Sequence, residues 1–180
     1  MNRKHFDALG HASEIVSANP KGILLTTQAD DLVDTMVIGW GMLGTIWNTP
    51  TFAAFVRTSR FTHENLERNP QFTVNVPVGG RLRSDIFKVC GTESGRHVDK
   101  VAACGLTLVG AEKVDVPAIL EAPLTLECQV IYHSAMDPEA FPEAVQRFYP
   151  HNVTDVDAGT SCYLHDLYLG RVVSSYLLEA

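Results

Sequence analysis

The 180-residue sequence has no CxxC pair, no excess of basic residues and no long apolar run. The four cysteines, Cys90, Cys104, Cys128 and Cys162, lie far apart, so neither a zinc knuckle, a thioredoxin-like motif nor a disulfide framework is expected. Scattered cysteines of this kind usually behave as small buried hydrophobes. Lys and Arg number 14 against 21 Asp and Glu, a formal charge of −7, which disfavours a protein that wraps nucleic acid by counterion release. The apolar runs are strand-sized, far short of the roughly 20 residues needed to cross a bilayer. Basic residues near the start are not followed by an apolar stretch, so no secretory leader and a cytoplasmic location are expected.

Catalytic signatures are equally scarce. There is no GxSxG elbow, no Ser-His-Asp or Cys-His arrangement, no Walker loop and no GxGxxG fingerprint. No HExxH occurs, and His63, His97 and His133 stand apart along the chain, so no metal site is expected. Hydrolytic chemistry by a side-chain nucleophile is unsupported.

What is present is a chain that is 46% hydrophobic and 19% charged, enough for a real core in one domain spanning residues 1–180. Strands are expected over 22–28 and 35–40 as a hairpin, then over 51–57, 72–76, 124–134 and 163–178, with a bulge at Gly170. Helices are expected over 63–68, 82–89 and 99–104, the last closed by Gly105. A loop is expected over 90–96, and a helix interrupted by Pro142 over 138–149. Strands dominate without a βαβ rhythm, which points to a mainly β fold: an antiparallel barrel with peripheral helices.

Three segments could hold a ligand. Gly39 to Thr45 sets three glycines around Trp40 and Met42, a density that suggests a bulge or close approach of backbone to another group. Arg57-Thr58-Ser59-Arg60-Phe61-Thr62 places two guanidinium groups and three hydroxyls where a buried strand meets a helix start, the donor set that phosphate needs. Helix capping by Ser59 or Thr62, with solvated arginines, is the simpler alternative. Cys90 to Arg96, followed by Asp99-Lys100, offers amides, Ser94, Arg96 and Lys100 to a further anion or a ring edge, or is a plain loop. Strand alternation puts His165 and Asp166 on opposite faces.

Four strings, TMVIGWGMLGTIWNTP (35–50), FVRTSRFTHENLERNPQFTVNVP (55–77), CGTESGRHVDKVAACGLT (90–107) and HDLYLGRV (165–172), together resemble the flavin reductase-like family of FMN-binding split barrels, in its flavoredoxin-like branch. The resemblance runs from about Pro20 to Tyr176. It implies a dimer with FMN near the subunit boundary. Trp40, Gly41, Met42, Leu43, Gly44 and Thr45 would lie along the flavin, and Arg57, Ser59, Arg60 and Thr62 would gather its phosphate. Ser94, Gly95 and Lys100 match a loop that closes over the cofactor, and His165 matches a histidine facing the flavin.

The resemblance implies an oxidoreductase that takes electrons from NADH or NADPH and passes them to free flavin or another acceptor. The alternatives are an electron-transfer module fed by a protein partner, and a split barrel for another ligand. The chain departs from the family pattern at Asp34, Asp166 and Arg171, and Met136 to Thr160 resembles a branch-specific insertion at the substrate entrance. Cys90 is the one cysteine placed near the cofactor by this resemblance.

Overall fold

A computed structural model describes residues 2–79, 81–153 and 161–179. Its strands are β1 (Asn2–His5), β2 (Ile23–Ala29), β3 (Leu32–Ile38), β4 (Gly41–Ile46), β5 (Thr49–Arg57), β6 (Gln71–Val76), β7 (Leu108–Val109), β8 (Ala118–Ile119), β9 (Leu124–Ala135) and β10 (His165–Glu179). The helices are α1 (Ala12–Ala18), α2 (Phe61–Arg68), α3 (Ser84–Thr92), α4 (Lys100–Cys104) and α5 (Glu143–Gln146). An antiparallel sheet runs β3-β2-β6-β9-β10-β5-β4, with β1 added to the end of β10, and it does not close on itself. This is the mainly β architecture expected from the strands, in the split-barrel form that the family resemblance implies. No helix among the described residues is long and apolar enough to cross a membrane.

Alternation on the strands sorts most of the apolar residues into two cores, beside a small third cluster of Ala118, Tyr176 and Leu178. Ile23, Leu25, Phe52, Val56, Phe72, Val74, Leu126 and Tyr168 face the interior of the curved sheet. Leu24, one residue out of phase, faces the other way and packs with Ile86, Cys90, Cys104 and Ile119 under α3 and α4. Both faces of β2 are therefore covered, which is why it opens on three consecutive apolar residues, Ile23, Leu24 and Leu25, and is buried along nearly its whole length.

Gly170 marks the expected bulge: the β10–β9 register shifts between Leu169 and Gly170. A Cβ at Gly170 would stand 2.4 Å from Phe72 Cζ, so the inward-facing phenyl ring requires glycine there. Gly105 closes α4 in the left-handed region at φ 58°, also as expected.

Buried polar groups tie loops to the sheet. The Glu127 carboxylate accepts from the amides of Glu112 and Lys113 at 2.8 and 2.7 Å and from the Tyr176 hydroxyl at 2.7 Å. Asn75 accepts from the Ile119 amide at 2.9 Å and donates to Thr26 and Thr73. Each group would destabilise the core if left unsatisfied, and each instead fixes a connection.

Several boundaries differ from expectation. Strand β3 begins at Leu32 and ends at Ile38, since its register with β2 starts at Ala29 and leaves Trp40 beyond the ladder. The expected loop over 90–96 is helical through Thr92, because Ile86 and Cys90, four residues apart, both belong to the buried face of α3. The stretch over 138–149 resolves into a 3-10 turn at Pro138–Ala140 and the short α5 after Pro142. Strand β1 and helix α1 lack the patterns that would announce them. Of the Met136 to Thr160 segment, residues 154–160 lie outside the described ones.

Candidate functional site

A cavity of about 370 Å³ opens beside the end of β3 and the ends of β5 and β10, within the range of small-molecule sites. Its walls are Met36 to Trp40, Phe55, Arg57, Arg60, Phe148 and His165. Antiparallel pairing of β5 with β10 sets His165 opposite Arg57 in register. The sheet thereby brings together residues 108 positions apart by their numbering.

Arg57 is buried, and its Nη1 donates to the carbonyls of Tyr163 at 2.7 Å and Ser161 at 3.3 Å, with the guanidinium 5.5 Å from the centre of the Tyr149 ring. Arg60 holds the N-cap position of α2 and donates from Nη2 to the Gly91 carbonyl at 3.1 Å. Burial lowers the pKa of both guanidinium groups, and Arg60 lowers that of Arg57 further by repulsion. Two desolvated cations against one cavity make it a receptor for an anion.

His165 lines the same cavity with its ring 4.8 Å from Trp40, and Tyr149 reaches its Nδ1 at 2.8 Å. Burial, followed by Arg57 and Arg60, pushes the imidazole down to about 3, so it is neutral at physiological pH. Burial raises the Tyr149 hydroxyl, which keeps its proton. The stronger acceptor near that hydroxyl is Nδ1 rather than the Met136 sulfur at 3.9 Å, so Tyr149 donates to His165 and leaves Nε2 carrying hydrogen. The ring is a fixed hydrogen-bond donor.

Trp40, Phe55 and Phe148 also border an adjoining apolar recess of about 340 Å³ completed by Met136, Phe141, Val145 and Tyr149. Trp40 and Phe148 meet edge to face at 5.5 Å. The residues around α5 thus border the cavity with aromatic surface.

The remaining candidates sit elsewhere. Gly41 to Thr45 form β4 and pair with β5 instead of lining the cavity. Gly41 is needed by the core, since a Cβ there would lie 2.8 Å from Phe52 Cζ, while Gly44 has open space around its Cα. Met42 is largely exposed and Leu43 leans on the interior core. Ser59 stands in the turn before α2, where its carbonyl accepts from Arg96 at 3.0 Å.

Thr62 and Lys100 converge on Asp34. The Thr62 hydroxyl donates to Asp34 Oδ2 at 2.8 Å, and Lys100 Nζ lies 2.9 Å from Oδ1, an ion pair off the line of a hydrogen bond. Lys100 also donates to the Thr35 carbonyl at 2.9 Å. Gly95 packs on the same carboxylate, where a Cβ would stand 2.3 Å from Oδ1. The hydroxyl of Thr62 and the ammonium of Lys100 are therefore engaged inside the protein, and Ser94 sits on the loop that this cluster anchors, accepting from the Arg96 amide at 3.3 Å. Cys90 is buried on the inner face of α3, and burial pushes its thiol up to about 12, which leaves no thiolate at neutral pH.

Two residues of weight, Phe148 and Tyr149, were not singled out in the sequence, and Asp34 was noted only as a departure from the family pattern. Only the aromatic pair after the Pro142 break offered a trace. A correction concerns the histidines, because His63 and His133, distant in sequence, are neighbours with ring centres 6.3 Å apart. Asp166, on the face of β10 opposite His165 as alternation requires, accepts from His63 Nε2 at 2.9 Å and His133 Nε2 at 3.0 Å.

The two arginines, the flat aromatic walls and the neutral donor fit an anionic aromatic group such as a flavin phosphate. Comparison with known proteins agrees at the level of family. The family model described as "Flavin reductase like domain" matches residues 17–180. An uncharacterized protein of Archaeoglobus fulgidus is 41% identical over 73 residues, 41% of this chain and 40% of that one. The alignments thus span about two fifths of the length of the curated relatives matched.

Two solved structures share the fold. An FMN-binding domain of a flavin reductases-like enzyme from Shewanella baltica OS155 has a TM-score of 0.63 at 15% identity, over 98% of this chain and 77% of that one. Flavoredoxin from Methanosarcina acetivorans has a TM-score of 0.63 at 23% identity, over 88% and 69%. With its family model matched over most of its length and its open antiparallel sheet, this chain belongs to the flavin reductase-like domain family.

Proposed function

We propose that the protein is an FMN-binding oxidoreductase that takes reducing equivalents from NADH or NADPH and delivers them to free flavin or another acceptor. The observation that carries this reading is the meeting of Arg57, Arg60 and His165 with the aromatic walls of Trp40, Phe55 and Phe148 in one cavity. A bound flavin supplies the redox chemistry, accepting a hydride and passing on electrons, which accounts for a chain without acid-base or nucleophilic motifs.

The side chains bind and orient. Arg57 and Arg60 hold the phosphate by charge-assisted hydrogen bonds, with Ser59 at the same turn. Trp40 and Phe148 present flat apolar surface and exclude water from one side. His165, kept neutral and oriented by Tyr149, donates a hydrogen bond from Nε2 to a ring acceptor. Thr62 and Lys100 act through Asp34, on which Gly95 packs, and Gly41 to Thr45 on the edge strand β4 would meet only a part of the cofactor that extends beyond the cavity.

We further propose a cytoplasmic homodimer. Exposed Met42 and Trp47 on the β4–β5 hairpin are apolar surface that a second copy would cover.

Purified protein is mixed with FMN, freed of excess, and its visible spectrum recorded before and after anaerobic NADH or NADPH. Stoichiometric flavin that bleaches with either nucleotide supports the reductase. Retained flavin that neither nucleotide reduces rejects it in favour of an electron-transfer module, and no retained flavin rejects a resident cofactor.

A further inference from the structure

On the sheet face opposite His165, helix α2 and strands β9 and β10 bring His63, Glu67, His133 and Asp166 together. We infer that this cluster is a binding site for a divalent transition cation of the zinc, cobalt and nickel class, with His63, Glu67 and His133 as ligands.

One ligand atom from each of the three lies within 4.8 Å of the other two. His63 and Glu67 are four residues apart on α2, the spacing that stacks two side chains on one helix face. His133 comes from β9, with Nδ1 3.5 Å from Glu67 Oε1. Donor atoms about 2.0–2.1 Å from a tetrahedral ion stand about 3.3 Å apart. The cluster is thus slightly open, and the half-exposed side chains of Glu67 and His133 leave both a path of entry and freedom to close.

The surrounding groups are those that orient metal ligands. Asp166 accepts from Nε2 of both histidines, which leaves the other ring nitrogen of each as a lone-pair donor. The Tyr168 hydroxyl donates to Glu67 Oε1 at 2.8 Å, and its ring stacks flat on His133 at 4.3 Å. Two carboxylates and two imidazoles so placed are a donor set that suits a divalent cation. Imidazole nitrogen favours the zinc-like class over magnesium or calcium.

Residue His63 lies in the first helical turn after Arg60, so a bound ion would clip the start of α2 to β9 and β10. The flavin reading is not required for this site, and the test needs no flavin.

Flavin-free protein stripped with a chelator is titrated with zinc and magnesium chlorides by calorimetry and thermal unfolding, and with cobalt chloride by visible absorption. The expected result is one zinc ion per chain, a raised melting temperature with zinc and not magnesium, and a tetrahedral cobalt band. Glu67→Gln keeps the shape and the Tyr168 contact and is expected to weaken zinc by ten-fold or more. Asp166→Asn is expected to weaken it 10–100-fold. His133→Ala should abolish the cobalt band, whereas His97→Ala, outside the cluster, should leave it intact. Absence of stoichiometric zinc binding, or binding unchanged in both Glu67→Gln and His133→Ala, overturns the inference.

Discussion

His165 on β10 and Arg57 on β5 are cross-strand partners, and both face the cavity in which the Arg57 charge and the neutral His165 ring are held. The pair sets the electrostatics of the site: buried cations favour an anion and suppress a third positive charge on the imidazole.

Removing either cation should weaken flavin binding. Arg57→Ala and Arg60→Ala are each expected to lower FMN affinity by roughly 10- to 100-fold, the equivalent of about 1.5–3 kcal/mol for a hydrogen bond to a charged group. Quenching of flavin fluorescence measures this directly. Riboflavin, which lacks the phosphate, should lose little affinity in the same variants.

Acid should destabilise the fold through His165. Its folded value of about 3 lies below the ordinary 6.5, so between these values the unfolded chain holds a proton that the folded chain refuses. The stability is complete above about pH 6.5 and declines as pH falls toward 3, with a slope of at most about 1.4 kcal/mol per pH unit from this group. His165→Gln should flatten that part of the profile, and urea midpoints from pH 7 to pH 4 are the measurement; equal slopes in both proteins would contradict the assignment.

The Asp34–Lys100 pair should matter through loss of one partner more than loss of both. Lys100→Met strands the Asp34 carboxylate in a buried position and is expected to destabilise by about 3–5 kcal/mol. Adding Asp34→Asn should recover much of that, because the stranded charge is gone while Thr62 can still bond to the amide. Denaturant unfolding of the two single variants and the double variant tests the coupling.

Gly170→Ala should cost about 1–3 kcal/mol by overpacking against Phe72. Phe72→Leu in the same chain should return part of it, since the clash involves the far atoms of the ring. Additive effects in thermal unfolding would show that the glycine serves some purpose other than room for Phe72.

Much of the fold was legible locally. Alternating Val, Ile, Leu and Thr marked the central strands, Asn69-Pro70 ended α2, and Gly105 and Gly170 announced a cap and a bulge. Arg57 and Arg60 were readable as an anion site because forked donors beside a helix start carry their chemistry in the local string. Strand β1 was not legible, since Asn2 to His5 is polar and becomes a strand only by pairing with the end of β10.

The sequence by itself determined which residues bear chemistry, and alternation alone assigned His165 and Asp166 to opposite faces of β10. Tertiary structure decided which residues share a site. Pairing of β5 with β10 set Arg57 opposite His165, and the α5 segment supplied Tyr149. Packing of α2 on β9 and β10 joined His63 to His133, and Asp34 drew in Thr62, which local pattern had offered to phosphate, and Lys100, which it had offered to a further anion or a ring edge. Periodicity records the direction of a side chain within its own element, but partners 65 or 103 residues apart are chosen by sheet register and buried charge.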